Sequence, residues 1–284
     1  MISPAKPTVS SGPTAGTRAL KVRTLESGVF VRYREGEPGY PALFCVHGFG
    51  ASGASYLEAF DAPELQRHPI YAPDFPGFGE SPRGALPGGL SGAADVLLGL
   101  VAAHGGGKGI VLLAHSAGGL IGTKVAPALP SFRCLINIEG NLTEADNFIS
   151  GKAAAAEDID AWRRGLLEDL RGRAGTDEAY RRYLPDLARA SSAALKEWAV
   201  ETVAETGKTR GGEGFRALTC RKLYIYGGRS IAEASLEYLV RHDVPRLVFP
   251  DAGHSPMIDE PARFYAAVAE FIAMMPTTAP ATTP

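Results

Sequence analysis

Gly109-Ile110-Val111-Leu112-Leu113-Ala114-His115-Ser116-Ala117-Gly118-Gly119-Leu120-Ile121 decides the fold of this 284-residue chain. Its first six residues are a short apolar run without polar alternation, the pattern of a strand buried on both faces. Residues 118–129 read as a helix that Pro130 ends. Between them His115-Ser116-Ala117 must turn the chain from strand to helix. A serine on such a sharp turn stands with its hydroxyl lifted out of the sheet, and small neighbours are needed to avoid clashes.

Outward from this unit the same alternation repeats. Residues 23–34 alternate around Gly28 and predict a β-hairpin. Apolar runs predict strands at 42–46, 69–73, 133–138, 222–226 and 246–249. Helices are predicted at 56–66, 90–104, 231–241 and 261–274, with Ser91 capping the second and Gly105-Gly106-Gly107 stopping it. Strands that alternate with helices make parallel βαβ units. The predicted fold is therefore α/β, with a doubly wound, mostly parallel sheet. Functional residues are expected where its strands end, at their carboxyl edge.

One segment breaks the pattern. Residues 142–215 carry 25 charged side chains in 74 positions, against 35 in the other 210. Such a stretch presents much solvated surface. Its apolar residues have helical spacing: Ile159, Trp162, Leu166 and Leu170 in one stripe, Leu195, Trp198, Ala199 and Thr202 in another behind a Ser191-Ser192 cap. The expected organisation is a core of residues 19–141 and 216–275 carrying a helical insert at 142–215. Residues 1–18, rich in Pro, Ser, Thr and Gly, and 276–284, of Thr, Ala and Pro, are expected to be disordered.

Composition narrows the function. The formal net charge is −2, so no basic surplus exists to neutralise nucleic-acid phosphates or to hold an anionic membrane. No apolar run is long enough to span a bilayer, and the N-terminus has no secretory h-region. Cys45, Cys134 and Cys220 are too few and too scattered for a disulfide framework or a zinc site. The expectation is a reduced, cytoplasmic protein, monomer or homodimer, that acts on a small molecule with no metal and no organic cofactor.

Two further stretches bear on chemistry. Asp251-Ala252-Gly253-His254-Ser255-Pro256 follows the last predicted strand and lies 138 residues beyond Ser116. A histidine there can take the serine proton and return it to a leaving group. Val46-His47-Gly48-Phe49-Gly50 follows the first buried strand, where glycines free backbone N–H groups to face a developing oxyanion. His47 is expected to brace this loop and Asp74 to hold the loop after its own strand. His115 is expected to point away from the nucleophile, and His68, His104 and His242 read as surface or helix-end residues.

In this order, with Asp74-Phe75-Pro76-Gly77-Phe78-Gly79-Glu80-Ser81 after the next strand and Glu260-Pro261 opening the last helix, the chain resembles the α/β-hydrolase superfamily over residues 20–274. The resemblance implies Ser116 as nucleophile, His254 as base, the N–H groups of Phe49 and Ala117 as oxyanion hole, and the charged insert as a helical cap. Two positions depart from the pattern. Ala114 replaces the first glycine of the turn. The loop after the seventh strand, Tyr226-Gly227-Gly228-Arg229-Ser230, has no carboxylate where most members keep their acid. A minority of the family places it after the sixth strand, where this chain has Glu139, with Asp243 and Asp251 in reserve. Phe148, Trp162 and Trp198 are candidates for a pocket under the cap, or for the core of the cap itself.

The implied activity is hydrolysis of a carboxylic ester or lactone through an acyl-enzyme. C–C bond hydrolysis and thioester cleavage or cyclisation use the same triad, and some members of the superfamily bind ligands as sensors. A rival reading rests on Gly48-Phe49-Gly50-Ala51-Ser52-Gly53, which matches a dinucleotide-binding turn with Asp74 near the ribose position, as in NAD-dependent oxidoreductases. It leaves Ser116 and His254 without a role.

Overall fold

The computed structural model describes residues 19–83, 88–105 and 109–274. The disorder expected at 1–18 and 276–284, and Gly106 and Gly107 of the predicted helix stop, lie outside the described residues. Eight strands form one sheet: β1 (Lys21–Thr24), β2 (Phe30–Arg34), β3 (Ala42–Val46), β4 (Ile70–Pro73), β5 (Ile110–His115), β6 (Phe132–Ile138), β7 (Arg221–Gly227) and β8 (Arg246–Phe249). Their order is β1-β2-β4-β3-β5-β6-β7-β8; β2 runs antiparallel to both its neighbours, β1 and β4, and the other pairs are parallel. This is the doubly wound, mostly parallel α/β sheet that the alternating pattern predicts.

The continuous apolar strands are covered on both faces. Every residue of β3 and β5 is buried. Phe44, Val46, Leu112 and Ala114 enter one core, while Leu43, Cys45, Val111 and Leu113 enter the other. Around the sheet lie α1 (Leu57–Asp61), α2 (Gly89–His104) and α3 (Gly118–Val125), and after β6 come α4 (Ser150–Ala155), α5 (Ile159–Arg171), α6 (Glu178–Arg189), α7 (Ser192–Thr206) and α8 (Arg210–Ala217). Helices α9 (Glu233–Arg241), α10 (Pro256–Asp259) and α11 (Pro261–Ala273) complete the chain. Among the described residues no helix is long and apolar enough to cross a membrane.

Local chemistry moves several predicted boundaries. The helix expected at 56–66 is a 3-10 turn, the five-residue α1 and a second turn at Pro63–Leu65. Pro63 lacks an N–H and pushes Ala62 into extended backbone, which ends α1. In the same way α3 stops at Val125, ahead of a turn containing Pro127.

One capping expectation fails, and a second holds in position only. Ser91 lies inside the first turn of α2, and its N–H donates to the Glu201 carboxylate of α7. A charged acceptor at the positive end of a helix outcompetes a neutral hydroxyl. Ser191 stands at the start of α7 but makes no side-chain cap bond, and the Ser192 hydroxyl donates instead to Asp160.

After β6, α7 packs against α2 and α4, and α8 packs against α3, while α6 is tied to segments that follow β3 and β4. The Ser52 hydroxyl donates to the buried Asp186 at 2.6 Å, Arg182 pairs with Glu58, and Arg189 pairs with Glu80. Leu195, Trp198, Ala199 and Thr202 of α7 are all buried. On α5 the stripe is shallower: Leu170 is buried, while Ile159, Trp162 and Leu166 are half-buried.

Candidate active site

Parallel register aligns the strand ends. Val46 pairs with Ala114, His115 with Ile138, and Ile138 with Ile225. The next residues on β3, β5 and β6 are His47, Ser116 and Glu139, so one edge of the sheet brings together loops far apart in sequence.

Ser116 turns out of β5 with φ at 53°, the left-handed region that a residue with a side chain avoids. Its N–H still donates to Ile138 O at 2.9 Å. The turn is closely packed. A Cβ on Gly48 would lie 2.8 Å from the Ser116 Cβ, and one on Gly118 would lie 2.6 Å from the His47 carbonyl. Ala114, in place of the usual first glycine, is fully buried on β5 and fits.

Glu139 leaves β6 in the same conformation, with φ at 50°. Its carboxylate is buried and fully used. One oxygen accepts from the Gly227 N–H at 2.6 Å and the Ser230 hydroxyl at 2.9 Å. The other accepts from His254 Nδ1 at 3.2 Å. An ionised carboxylate only accepts, so the proton on Nδ1 is fixed and Nε2 is left with a lone pair. Of the three carboxylates considered for this place, Glu139 is the one bonded to His254. Asp251 is exposed at the cavity mouth, and Asp243 sits in the tight turn after α9.

Ser116 and His254 line the same cavity, about 970 Å³ in volume, between the strand ends and α6. Among the described residues no hydrogen bond joins the Ser116 hydroxyl to the His254 ring. Catalytic hydrogen bonds of this kind often tighten only when substrate arrives. The N–H groups of Phe49 and Ala117 border the cavity beside Ser116, and neither donates to a protein acceptor among the described residues. Ala117 precedes α3, so the partial positive charge of that helix end reinforces its amide.

His47 is fully buried and spent on structure. Its Nδ1–H donates to Gly48 O at 2.9 Å and its Nε2 accepts from the Phe75 N–H at 3.0 Å. Burial lowers its pKa to about 4, which keeps the ring neutral. Trp198 of α7 stacks on it with centroids 5.6 Å apart and planes 9° apart. Trp198 is therefore core and lines no part of the cavity. Trp162 also stays outside the lining and packs edge-on against Phe49 at 6.2 Å. Of the three aromatic candidates, Phe148 is the one that borders the cavity, half exposed, with its ring edge-on to His254 at 5.6 Å.

Two histidines depart from expectation. His115 does not point away: its Nε2–H donates to the His254 carbonyl at 2.7 Å and the two rings lie 4.8 Å apart. Burial, with the His254 charge second, lowers its pKa to about 3. His68 is buried and not at the surface, with its Nδ1 bonded to Pro41 O.

Asp74 disposes of the dinucleotide reading. It is fully buried, paired with Arg32 at 2.6 Å, and accepts from the N–H groups of Gly53 and Glu80. Buried in this way, its carboxylate is out of reach of a ribose hydroxyl. The glycine turn leads into a 3-10 turn and the five-residue α1, not into the long helix whose N-terminus would hold a pyrophosphate.

The sequence profile of the Alpha/beta hydrolase family matches residues 43–267. The chain belongs to this family. No curated protein sequence matches it. Solved structures share the fold at low identity. The N-acyl homoserine lactonase AidH in complex with N-hexanoyl homoserine is 22% identical, with a TM-score of 0.71 over 89% of this chain and 96% of that one. E-2-(Acetamidomethylene)succinate hydrolase is 22% identical, with a TM-score of 0.69 over 90% of this chain and 100% of that one. A thermophilic esterase from Thermogutta terrifontis is 20% identical, with a TM-score of 0.66 over 90% of this chain and 98% of that one.

Proposed function

We propose that this hydrolase-family protein cleaves a small-molecule carboxylic ester or lactone through a serine acyl-enzyme. The observation that carries this reading is the His254–Glu139 hydrogen bond beside Ser116 in one cavity with two unpaired amides. Ser116 Oγ attacks the carbonyl carbon while His254 Nε2 takes the hydroxyl proton. The developing oxyanion accepts from the Phe49 and Ala117 N–H groups, worth about 3–4 kcal/mol of barrier per well-placed donor. Glu139 holds the imidazole tautomer and balances the imidazolium. His254 then gives its proton to the leaving alkoxide. A water, deprotonated by the same nitrogen, attacks the acyl-serine; the acyl–Oγ bond breaks, His254 returns the proton to Ser116 Oγ, and the carboxylic acid leaves.

The lactonase and esterase among the structural relatives favour an ester or lactone over the other bonds that such a triad can cleave. Rapid mixing with p-nitrophenyl butyrate tests the reading. A burst of nitrophenolate with a butyryl adduct on the Ser116 peptide is expected. Turnover that persists in Ser116→Ala, or that proceeds without an adduct, would overturn it.

A further inference from the structure

Tyr183 belongs to α6, the cap helix clamped to the core through Ser52, Glu58 and Glu80. It reaches down into the cavity that holds Ser116. Its hydroxyl lies against Gly50, the residue after Phe49. A Cβ on Gly50 would come within 2.8 Å of that oxygen, and Gly50 has φ at +69°. Glycine at 50 is needed both for the turn and for the room that the phenol occupies.

This hydroxyl has no protein partner among the described residues, as is also true of Tyr238 and Tyr265, which lie outside this cavity. Tyr180, one turn earlier, accepts from Arg173; Tyr56 and Tyr224 donate to backbone carbonyls. The Tyr183 hydroxyl makes no hydrogen bond among the described residues and faces the cavity. Burial raises its pKa well above the usual phenol value, so it stays a neutral donor. A half-buried hydroxyl on the cavity wall with no protein acceptor is free to donate to a ligand.

The position places it on the oxyanion side of the site. The leaving group must lie beside His254, whose ring is bordered by Glu139, His115 and Phe148. The oxyanion sits at the Phe49 amide. Gly50 follows Phe49, so the Tyr183 hydroxyl stands against the loop that carries that amide, in the same cavity as Ser116.

We propose that Tyr183 is a specificity-determining residue that donates a hydrogen bond to an ether, amide or similar acceptor oxygen in the acyl portion of the substrate. The inference rests on the ester-hydrolase reading and narrows it: the preferred acyl group carries an oxygen close to the scissile carbonyl.

The test compares two nearly isosteric esters, p-nitrophenyl methoxyacetate and p-nitrophenyl butyrate, with wild type and Tyr183→Phe. Phenylalanine keeps the ring packing and removes only the donor. One neutral hydrogen bond predicts that kcat/KM for the methoxyacetate falls about tenfold, with the butyrate changed by less than about twofold. Equal falls for both esters would mark a structural role and overturn the inference, as would no change in either. A wild type that hydrolyses neither ester in a Ser116-dependent way would instead contradict the underlying hydrolase reading.

Discussion

Ser116 and Glu139 hold the same left-handed backbone conformation, φ at 53° and 50°, one residue beyond the paired His115 and Ile138 on adjacent parallel strands. Ladder bonds persist into both turns: Ser116 N–H donates to Ile138 O and Glu139 N–H to Ile225 O. One device thus lifts both side chains out of the sheet at the same level. Each such residue stores about 1–3 kcal/mol of strain.

Releasing that strain at Ser116 has a measurable sign. Ser116→Gly is expected to be inactive yet more stable than Ser116→Ala by about 1 kcal/mol, because glycine adopts positive φ without cost. Urea denaturation of the two variants checks it. Equal midpoints would mean that the turn is unstrained.

Glu139→Gln keeps the size of the side chain and removes its charge. The amide can present an N–H to His254 Nδ1 and so stabilise the wrong tautomer. The expected loss in kcat is about 10³–10⁴, with the fold unchanged. Near-normal turnover would send the acid role back to Asp243 or Asp251.

The two aromatic positions should separate cleanly. Trp198→Ala opens a hole against His47, Phe75 and Phe78 and is expected to cost about 3–5 kcal/mol of stability. Phe148→Ala, half exposed at the cavity, is expected to leave stability within about 1 kcal/mol and to change KM. Thermal unfolding together with steady-state kinetics distinguishes them.

Acid should destabilise the fold before its carboxylates titrate. In the unfolded chain a histidine titrates near 6.5, whereas folded His47 and His115 titrate near 4 and near 3. Between these values the unfolded chain binds protons that the folded chain refuses, so stability falls as pH drops below 6.5. Each buried histidine is expected to cost roughly 2 kcal/mol between pH 7 and pH 5. His47→Gln should lose its share of that slope in urea titrations at the two pH values. An unchanged slope would contradict the neutral, buried state of His47.

Much of this was legible in the sequence, for reasons visible in particular residues. Continuous apolar runs such as Ala42–Val46 mark strands covered on both faces, and the parallel order follows from their alternation with helices. The small residues around Ser116 mark a sharp turn because nothing larger fits against Gly48 and Gly118. What escaped depends on contacts between distant segments. Ser230 stands in a loop notable for lacking a carboxylate; in the fold its hydroxyl donates to the carboxylate of the neighbouring strand. Ser91 looked like a cap until Glu201, 110 residues away, took that place. Trp198 and Phe148 carry similar local signals, yet α7 lies on the core and Phe148 borders the cavity. Nothing local to Tyr183 reveals that α6 is clamped directly above Gly50.

The central claim is that Ser116 is a nucleophile activated by His254 within a formed oxyanion hole. Labelling with a fluorophosphonate probe tests it most directly, because the probe needs that machinery and not the natural substrate. Wild type is predicted to label covalently on Ser116, with labelling lost in Ser116→Ala and sharply slowed in Glu139→Gln. A wild type that stays unlabelled, or a Ser116→Ala variant that labels equally, would contradict it.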